Sequence, residues 1–153
     1  MIMSRDNRFQ QLVEQAGDAI LASDRAGNIV LWNASAGRIF GFSETEALGQ
    51  SLDIIIPERF RQRHWEGYHQ TMATGITRYG TTVLRVPAID QKGRALSIAF
   101  TVVVLSNECG TPEAIGAIVR DETERWAEEI QMRQELTRLK QEGKPGGACG
   151  LSL

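Results

Sequence analysis

Short apolar runs rich in β-branched residues recur along this chain between polar turns, and they predict five β-strands. The predicted strands cover residues 19–22, 28–32, 81–86, 95–105 and 114–119. The first two are joined by Asp24-Arg-Ala-Gly27, in which Asp and Gly favour a tight turn. Because most connections are too short for a parallel crossover, the five strands are expected to form one antiparallel sheet.

A helical cluster separates the second predicted strand from the third. The pattern becomes helical after Asn33, and Ser43 with Glu46 three residues later forms a capping box, the signature of a helix start. The main helix is predicted to begin at Pro57, whose missing N–H costs nothing in a first turn, and to end at Gly75. This order of elements predicts an α+β domain over residues 16–121.

Two terminal helices are predicted to flank this domain, over residues 1–15 and 122–142. The first shows the i, i+3, i+4 spacing of an amphipathic helix, and the second consists almost entirely of helix formers with a short 4–3 seam. The apolar positions are Phe9, Leu12 and Val13 in the first and Met132, Leu136 and Leu139 in the second. The second helix is expected to dimerise or dock a partner, the alternative being a solvated helix packed on its own domain. Residues 143–153, rich in Gly, are expected to be a flexible tail.

The charge balance argues against two classes of partner. The 153 residues fit one domain with terminal extensions, and 17 basic against 19 acidic residues give a net charge of −2. This leaves no basic footprint for nucleic acid or an anionic membrane. No run reaches the roughly 18–20 apolar residues of a membrane span, and the N-terminus lacks the apolar core of a secretory signal. We therefore expect a cytoplasmic protein that binds neither nucleic acid nor membrane.

Reactive groups are few. The two cysteines, Cys109 and Cys149, have no CxxC or CxxCH spacing, so neither a zinc site nor covalently attached haem is predicted. Both are expected to be free thiols, as is usual in the cytosol. No nucleophile–base pair, carboxylate pair or phosphate-cradling Gly loop stands at a usable position, so we do not expect an enzyme.

The order of these motifs resembles the PAS domain family over about three quarters of the chain, from Phe9 to Glu124. The resemblance is carried by three segments: Asp24-Arg-Ala-Gly-Asn-Ile-Val-Leu-Trp-Asn-Ala-Ser-Ala36, Gly41-Phe-Ser-Glu-Thr-Glu-Ala-Leu-Gly49 and Arg120-Asp-Glu-Thr-Glu-Arg125. It implies the PAS fold, with a five-stranded antiparallel sheet and a helical cluster between strands two and three. It also implies a sensory or dimerisation module of signal transduction. Such a module would work as a homodimer and pass its signal through the C-terminal helix to a separate output protein or domain.

The resemblance also limits the cofactors. Flavin photosensors of this family carry a cysteine in an Asn-Cys-Arg-Phe-Leu-Gln type motif, and the corresponding residues 51–60 contain none. The photoactive coumaroyl proteins need a cysteine in the central helical region, which this chain lacks. FMN is therefore not expected, and neither is a coumaroyl group.

Haem b is the cofactor that the resemblance implies. In haem-binding PAS oxygen sensors a histidine on the long helix before the third strand holds the iron, and the motif Arg61-Gln-Arg-His-Trp-Glu-Gly-Tyr68 places His64 there. Phe60, His64, Tyr68 and Met72 recur every four residues, so this stripe is expected to face the sheet. Two alternatives stay open. One is a cofactor-free interaction module in which His64 is an ordinary helical residue, and the other is a pocket for a small apolar metabolite.

The wall opposite His64 is expected on the predicted strand over residues 95–105. Because side chains alternate along a strand, the wall is either Leu96, Ile98, Phe100 and Val102 or the alternate set Ala99, Thr101 and Val103. The sensors that this motif resembles have a third-strand arginine that hydrogen-bonds bound oxygen. The matching position here is Leu84, and its neighbour Arg85 should point to the opposite face. If haem binds, we expect an apolar distal wall with Phe100 and Val102 among its contacts, and a pentacoordinate or water-ligated iron.

The second histidine does not complete a metal pair with the first. His69 follows His64 by five residues, which places it about 140° away around the helix, so the two cannot chelate one ion as an i, i+4 pair would. His69 is expected on the surface. The three tryptophans, Trp32, Trp65 and Trp126, are expected to be packing residues.

Overall fold

The computed structural model describes residues 2–143 and confirms the α+β class. Its five strands are β1 Ala19–Asp24, β2 Ile29–Trp32, β3 Leu84–Ile89, β4 Ala95–Ser106 and β5 Pro112–Asp121. Its helices are α1 Arg5–Gln15, α2 Ala34–Phe40, α3 Glu44–Ala47, α4 Glu58–Thr74 and α5 Thr123–Glu142, with a 3₁₀ helix at Leu52–Ile55. The predicted tail, apart from Gly143, and Cys149 with it, lies outside the described residues.

The strands form a single antiparallel sheet in the order β2-β1-β5-β4-β3, as predicted for an all-antiparallel arrangement. Helices α2, α3 and α4 pack on one face of this sheet, and the core lies between them and the strands. The core residues include Leu21, Ile98 and Val119 from the strands and Ala36, Phe40, Ala47, Tyr68 and Met72 from the helices. The two edges of the sheet are β2 and β3.

Helix ends follow the predicted capping chemistry. The Ser43 hydroxyl accepts a hydrogen bond from the Glu46 N–H at the start of α3, as the capping box predicted. Ser4, which was not predicted as a cap, caps α1 in the same way. Helix α4 follows Pro57 and ends at Gly75, whose φ of 72° is the left-handed conformation that glycine adopts most readily. The main helix therefore spans the predicted range.

The third strand was predicted three residues too early. The β-branched residues 81–83 were expected to begin it, but the strand starts at Leu84 and runs through Pro87 to Ile89. The reason is the tight turn at residues 90–94, which pairs Ile89 with Ala95 and so fixes the strand beside the turn. Pro87 is tolerated because β3 is an edge strand, where a missing N–H need not break the ladder.

The chain divides into two compact units, the first ending at Glu122 and the second beginning at Thr123. In the first unit, α1 has no buried residue, so the apolar stripe at Phe9 and Leu12 is exposed. In the second, α5 also has no buried residue, and Trp126, which was expected to pack, is 42% exposed. No helix within residues 2–143 is long and apolar enough to span a bilayer.

Candidate functional site

Helix α4 carries the predicted stripe, and its two halves differ. Tyr68 and Met72 in the second half are buried in the core. His64 and Phe60 in the first half are only partly buried, and Phe60 lies outside the core cluster with the Arg59 guanidinium 4.7 Å from its ring centroid. A four-residue repeat advances about 40° per step around a helix, so Phe60 lies about 120° from Met72. The stripe therefore turns away from the core towards its N-terminal end.

His64 has a buried atom without a partner. Its Nδ1 is inaccessible to solvent and makes no hydrogen bond to any part of the chain that the structure describes. Burial lowers the pKa of His64 below its ordinary value, the charge of Asp53 opposes that shift, and His69 adds to it. The imidazole is thus held in its neutral form, which is the form that binds a metal.

Tyr68 fixes α4 against the sheet. Its hydroxyl donates a hydrogen bond to the backbone carbonyl of Asp24 and lies 2.8 Å from Ser23 Oγ, which is almost fully buried on β1. Burial raises the pKa of Tyr68, and the nearby Asp24 charge acts in the same direction against the effect of the Ser23 hydrogen bond. The phenol therefore stays protonated and can keep donating this bond.

Trp65 packs against the His64 ring and contacts two neighbouring segments. Its indole N–H donates to Asp53 Oδ1 at 2.8 Å, and its ring meets the His64 ring edge-on with centroids 4.7 Å apart. The same ring lies over Gly27 in the turn between β1 and β2, so close that a Cβ at Gly27 would overlap it. Asp53 also interacts with Arg61 at 3.8 Å, which anchors the start of the helix to the 3₁₀ helix.

The sheet beside this helix offers a partly open apolar wall. Directly paired residues share a face, and Phe100 pairs with both Leu84 and Val119, while Ile98 pairs with Val86. Ile98 and Val119 belong to the core, so Leu84 and Val86 face the core side as well. Nevertheless Val86 is 39% exposed, and Leu84, Phe100 and Val102 are only half-buried. Apolar side chains on the inner face of β3 and β4 are thus incompletely covered.

The core side of β4 carries the first of the two predicted sets of residues. Four residues of that strand pack in or against the core: Leu96, Ile98, Phe100 and Val102. On the opposite face, Arg85 pairs with Ala99, and its side chain reaches Glu122 at 3.3 Å. Leu84 therefore stands on the inner face, and Arg85 does not, as the alternation predicted.

Several site residues were not anticipated. Trp65 packs against the core, as expected, but sequence reasoning missed its hydrogen bond to Asp53 and the role of Ser23. It also missed Val86, because the predicted β3 began too early. His69 is exposed, as expected, with its ring stacked 6.0 Å from that of Trp65. Within residues 2–143 no three His, Cys, Asp or Glu side chains lie close enough together to hold a metal ion by themselves.

Comparison with known protein sequences identifies both a family and relatives. A family model described as PAS fold matches residues 7–121. The sensor protein FixL of Bradyrhizobium diazoefficiens is 36% identical over 81 residues, which cover 53% of this chain and 14% of that protein. An uncharacterized protein of Azorhizobium caulinodans is 30% identical over 129 residues, or 84% of this chain and 17% of that protein. The chain thus spans a small part of the length of these relatives.

Solved structures show the same architecture. The PAS domain of a protein from Colwellia psychrerythraea superposes with a TM-score of 0.70 at 18% identity, covering 79% of this chain and 99% of that one. A sensory box histidine kinase/response regulator from Burkholderia thailandensis gives a TM-score of 0.61 at 18% identity, with coverages of 88% and 98%. At this identity the likeness establishes the fold.

Proposed function

This chain belongs to the PAS fold family, and from that premise we propose that it is a sensory signal-transduction module that binds a flat apolar ligand between α4 and the inner face of β3 and β4. The role is sensory rather than catalytic. The module acts in the cytoplasm as a homodimer and passes its signal to a separate output protein or domain.

The unpartnered Nδ1 of His64 carries this proposal. Leaving a buried polar atom without a hydrogen bond costs about 1–3 kcal/mol, so native structures rarely keep one without a reason. A ligand that engages the His64 ring would supply the reason. The half-covered side chains of Leu84, Val86 and Phe100 would gain burial from the same ligand.

Haem b is the first candidate, and the residues present fit it. His64 is neutral and lies on an apolar helix face, and the inner strand wall contains Phe100 and Val102, the environment that an axially ligated haem requires. When bound, haem supplies an iron centre that changes redox state or binds a diatomic gas. Phe60 would lie at the margin of this site, since it is outside the core cluster. Tyr68 and Met72 would form its packed inner end, since both are buried.

The test is a visible absorption spectrum of the full chain purified from haem-supplemented cells, with haem content measured by pyridine haemochrome. We expect a stoichiometric Soret band that shifts on reduction and with carbon monoxide. His64→Ala should lose most of this haem, whereas His69→Ala, on the exposed side of the same helix, should retain it. Equal haem content in both variants would reject His64 as the ligand.

A second candidate is a PAS module without a cofactor. The observation in its favour is that Tyr68 and Met72 already fill the space between the second half of α4 and the sheet. A colourless chain with no bound small molecule in native mass spectrometry would favour this reading. If a colourless chain carries a bound apolar metabolite, the proposed ligand site stands, and the metabolite rather than haem occupies it.

Signal output would follow from a population shift. A ligand that binds one arrangement of α4 and the sheet more tightly biases the populations of the two arrangements, and only this difference in affinity can change the output. Residues 120–125 connect β5 to α5 in the chain, so they are the segment through which such a bias would reach the C-terminal helix.

A further inference from the structure

A row of four charged side chains lies on the outer face of the sheet, opposite the core. Arg85 on β3 pairs with Ala99 on β4, which in turn pairs with Arg120 on β5, so both arginines share this face. Two carboxylates flank them: Glu122 contacts Arg85, and Asp18 contacts Arg120. The charges alternate in the order Asp18, Arg120, Glu122 and Arg85. We refer to these four side chains as the ionic row.

The first half of the ionic row fixes the end of β5 to the segment between α1 and β1. Arg120 donates to both carboxylate oxygens of Asp18, at 3.1 and 3.0 Å, the two-pronged geometry that makes such pairs strong. These hydrogen bonds and the Asp18 charge raise the pKa of Arg120, partial desolvation opposes them, and the charge of Glu122 acts in the same direction as Asp18. The backbone carbonyl of Asp18 also accepts from the Asn33 amide at 3.1 Å. Asp18 is therefore a fixed point to which β5 is tied.

The second half of the ionic row ties the residue after β5 to β3. The Arg85 Nε–H donates to Glu122 Oε2 at 3.3 Å, and the Glu122 backbone N–H donates to the carbonyl of Ser97 at 2.8 Å. The Glu122 side chain is only 17% exposed, whereas that of Arg85 is 60% exposed. A carboxylate with so little access to water depends on its protein partners, because water cannot readily replace one that is lost. Arg85 is therefore expected to hold Glu122 against the sheet.

Arg85 stands between the proposed ligand site and the C-terminal helix. Its neighbours Leu84 and Val86 lie on the inner face of β3, where they form part of the incompletely covered wall. Adjacent residues of a strand point to opposite faces of one stiff backbone, so a ligand that displaces Leu84 or Val86 also displaces Arg85. Because β3 is an edge strand, it is held by a single neighbouring strand, β4. Glu122, in turn, directly precedes α5.

We propose that the Arg85–Glu122 ion pair couples β3 to the start of α5, and that Arg85 is the positioning residue through which a ligand on the inner face is linked to the C-terminal helix. The Asp18–Arg120 pair anchors the last residues of β5, so Glu122 can follow a shift of β3 while the strand before it stays in place. Coupling of this kind is reciprocal, so a change at Glu122 must also alter β3. The inference deepens the proposed function, on which its ligand step rests.

Amide hydrogen exchange of the full chain, without ligand, tests the coupling. Arg85→Gln should speed exchange roughly two- to fivefold at residues 127–130, whose amides bond to the first turn of α5, and Glu122→Gln should do the same at residues 84–89. Each effect then appears in the element that was not altered. Arg85→Lys keeps the charge and should restore most of the parental rate. Arg138→Gln, which breaks exposed ion pairs inside α5, is the control and should leave residues 84–89 at the parental rate.

The double variant separates a coupled pair from two independent losses. If the two side chains act through each other, adding Glu122→Gln to Arg85→Gln should raise exchange at residues 84–89 by a smaller factor than Glu122→Gln does in the parent chain. Equal factors in the two backgrounds would show that the side chains act independently and would overturn the proposal. Parental exchange at residues 127–130 in Arg85→Gln would overturn it as well.

The same measurement on the haem-loaded chain tests the ligand step. Haem should change exchange at residues 127–130, and Arg85→Gln should reduce this response while haem content stays at the parental level, because Arg85 lies on the outer face. An undiminished response in Arg85→Gln would overturn the coupling and leave the ligand site standing. A colourless chain in which the exchange effects of Arg85→Gln and Glu122→Gln persist would support the coupling and remove haem from the proposed function.

Discussion

The Tyr68 hydroxyl donates a hydrogen bond to the carbonyl of Asp24 across the core, joining α4 to the end of β1. The same hydroxyl is 2.8 Å from Ser23 Oγ, and the Tyr68 ring is 5.7 Å from that of His64. The Tyr68 side chain therefore ties the second half of α4 to β1. Any ligand that repositions α4 acts on this contact.

Tyr68→Phe is expected to lower the free energy of unfolding by about 1–2 kcal/mol, because it removes the buried hydrogen bonds that the Tyr68 hydroxyl makes with the Asp24 carbonyl, which keeps the Gly27 N–H as a donor, and with the Ser23 hydroxyl. Urea unfolding followed by circular dichroism would measure the change. Tyr79→Phe removes the same atom from an exposed ring and should change stability by less than about 0.5 kcal/mol. Equal effects of the two substitutions would contradict the role assigned to the buried hydroxyl.

Stability should fall as the pH is lowered below about 7, and His64 should cause part of that fall. Burial depresses the pKa of His64 in the folded state below 6.5, so between the two pKa values the unfolded chain binds a proton that the folded chain does not. The stabilisation is thus complete above the unfolded pKa and is lost as the pH drops towards the folded one. Free energies of unfolding measured at pH 5, 6 and 7.5 would show this loss of stability.

His64→Leu is the informative variant for this pH dependence. It removes both the titrating group and the unpartnered Nδ1, so it should flatten the slope between pH 7.5 and pH 5 and be at least as stable as the parent at pH 5. His69→Leu serves as its control on the exposed side of α4 and should keep most of the parental slope, because His69 is the smallest of the three causes of the His64 shift. A parental slope in His64→Leu would assign the pH dependence to other groups.

Much of the fold was accessible from the sequence, because the strongest signals are local. Ser43 with Glu46 and Pro57 with Gly75 specify helix ends through capping chemistry that depends on neighbouring residues alone. The start of β3 was not accessible, because the turn and the β4 register that place it are contacts between strands. Local β-propensity at residues 81–83 was overridden by that pairing.

The candidate site was only partly accessible for the same reason. The four-residue spacing of His64, Tyr68 and Met72 predicted that they share one side of α4, and the burial of Tyr68 and Met72 confirms that this side meets the sheet. The advance of about 40° per four-residue step accounts for Phe60 lying outside the core, but spacing could not show which side chains surround His64 or that its Nδ1 lacks a partner. Those features depend on which side chains from distant segments, such as Trp65 over Gly27, occupy the space nearby.

Asn33→Asp should selectively loosen α1. The Asn33 carbonyl oxygen accepts from the N–H groups of Ile20 and Ala36, which Asp can still do, but its amide donates to the carbonyls of Val13 and Asp18, which Asp cannot. An ionised oxygen facing two carbonyls should cost about 2–3 kcal/mol. Amide hydrogen exchange should accelerate in α1 more than in α4.

Asn107→Asp is the matched control for that substitution. Within residues 2–143, the hydrogen bonds of the Asn107 side chain are made by its oxygen, which accepts from the N–H groups of Cys109 and Thr111, so Asp preserves them. Its hydrogen exchange and stability should remain close to the parental values. Similar losses in both variants would mean that the added charge, rather than the lost amide donor, explains the effect at Asn33.

Gly27→Ala should be among the most destabilising single-methyl additions in the first unit, because two costs combine there. Gly27 has a φ of 85°, which is unfavourable for alanine, and a Cβ at this position would overlap the Trp65 ring. Gly93→Ala isolates the first cost, since Gly93 has a φ of 74° with no atom within 4 Å of the added Cβ. We expect a loss of stability of about 1–2 kcal/mol at Gly93 and about 1–3 kcal/mol more at Gly27.

The same pair of variants tests the contact between Trp65 and His64. Because Trp65 packs edge-on against His64, displacing the Trp65 ring should also reduce haem content in Gly27→Ala, whereas haem content should be unchanged in Gly93→Ala. Equal stability losses at the two glycines would show that Trp65 yields freely and does not brace His64.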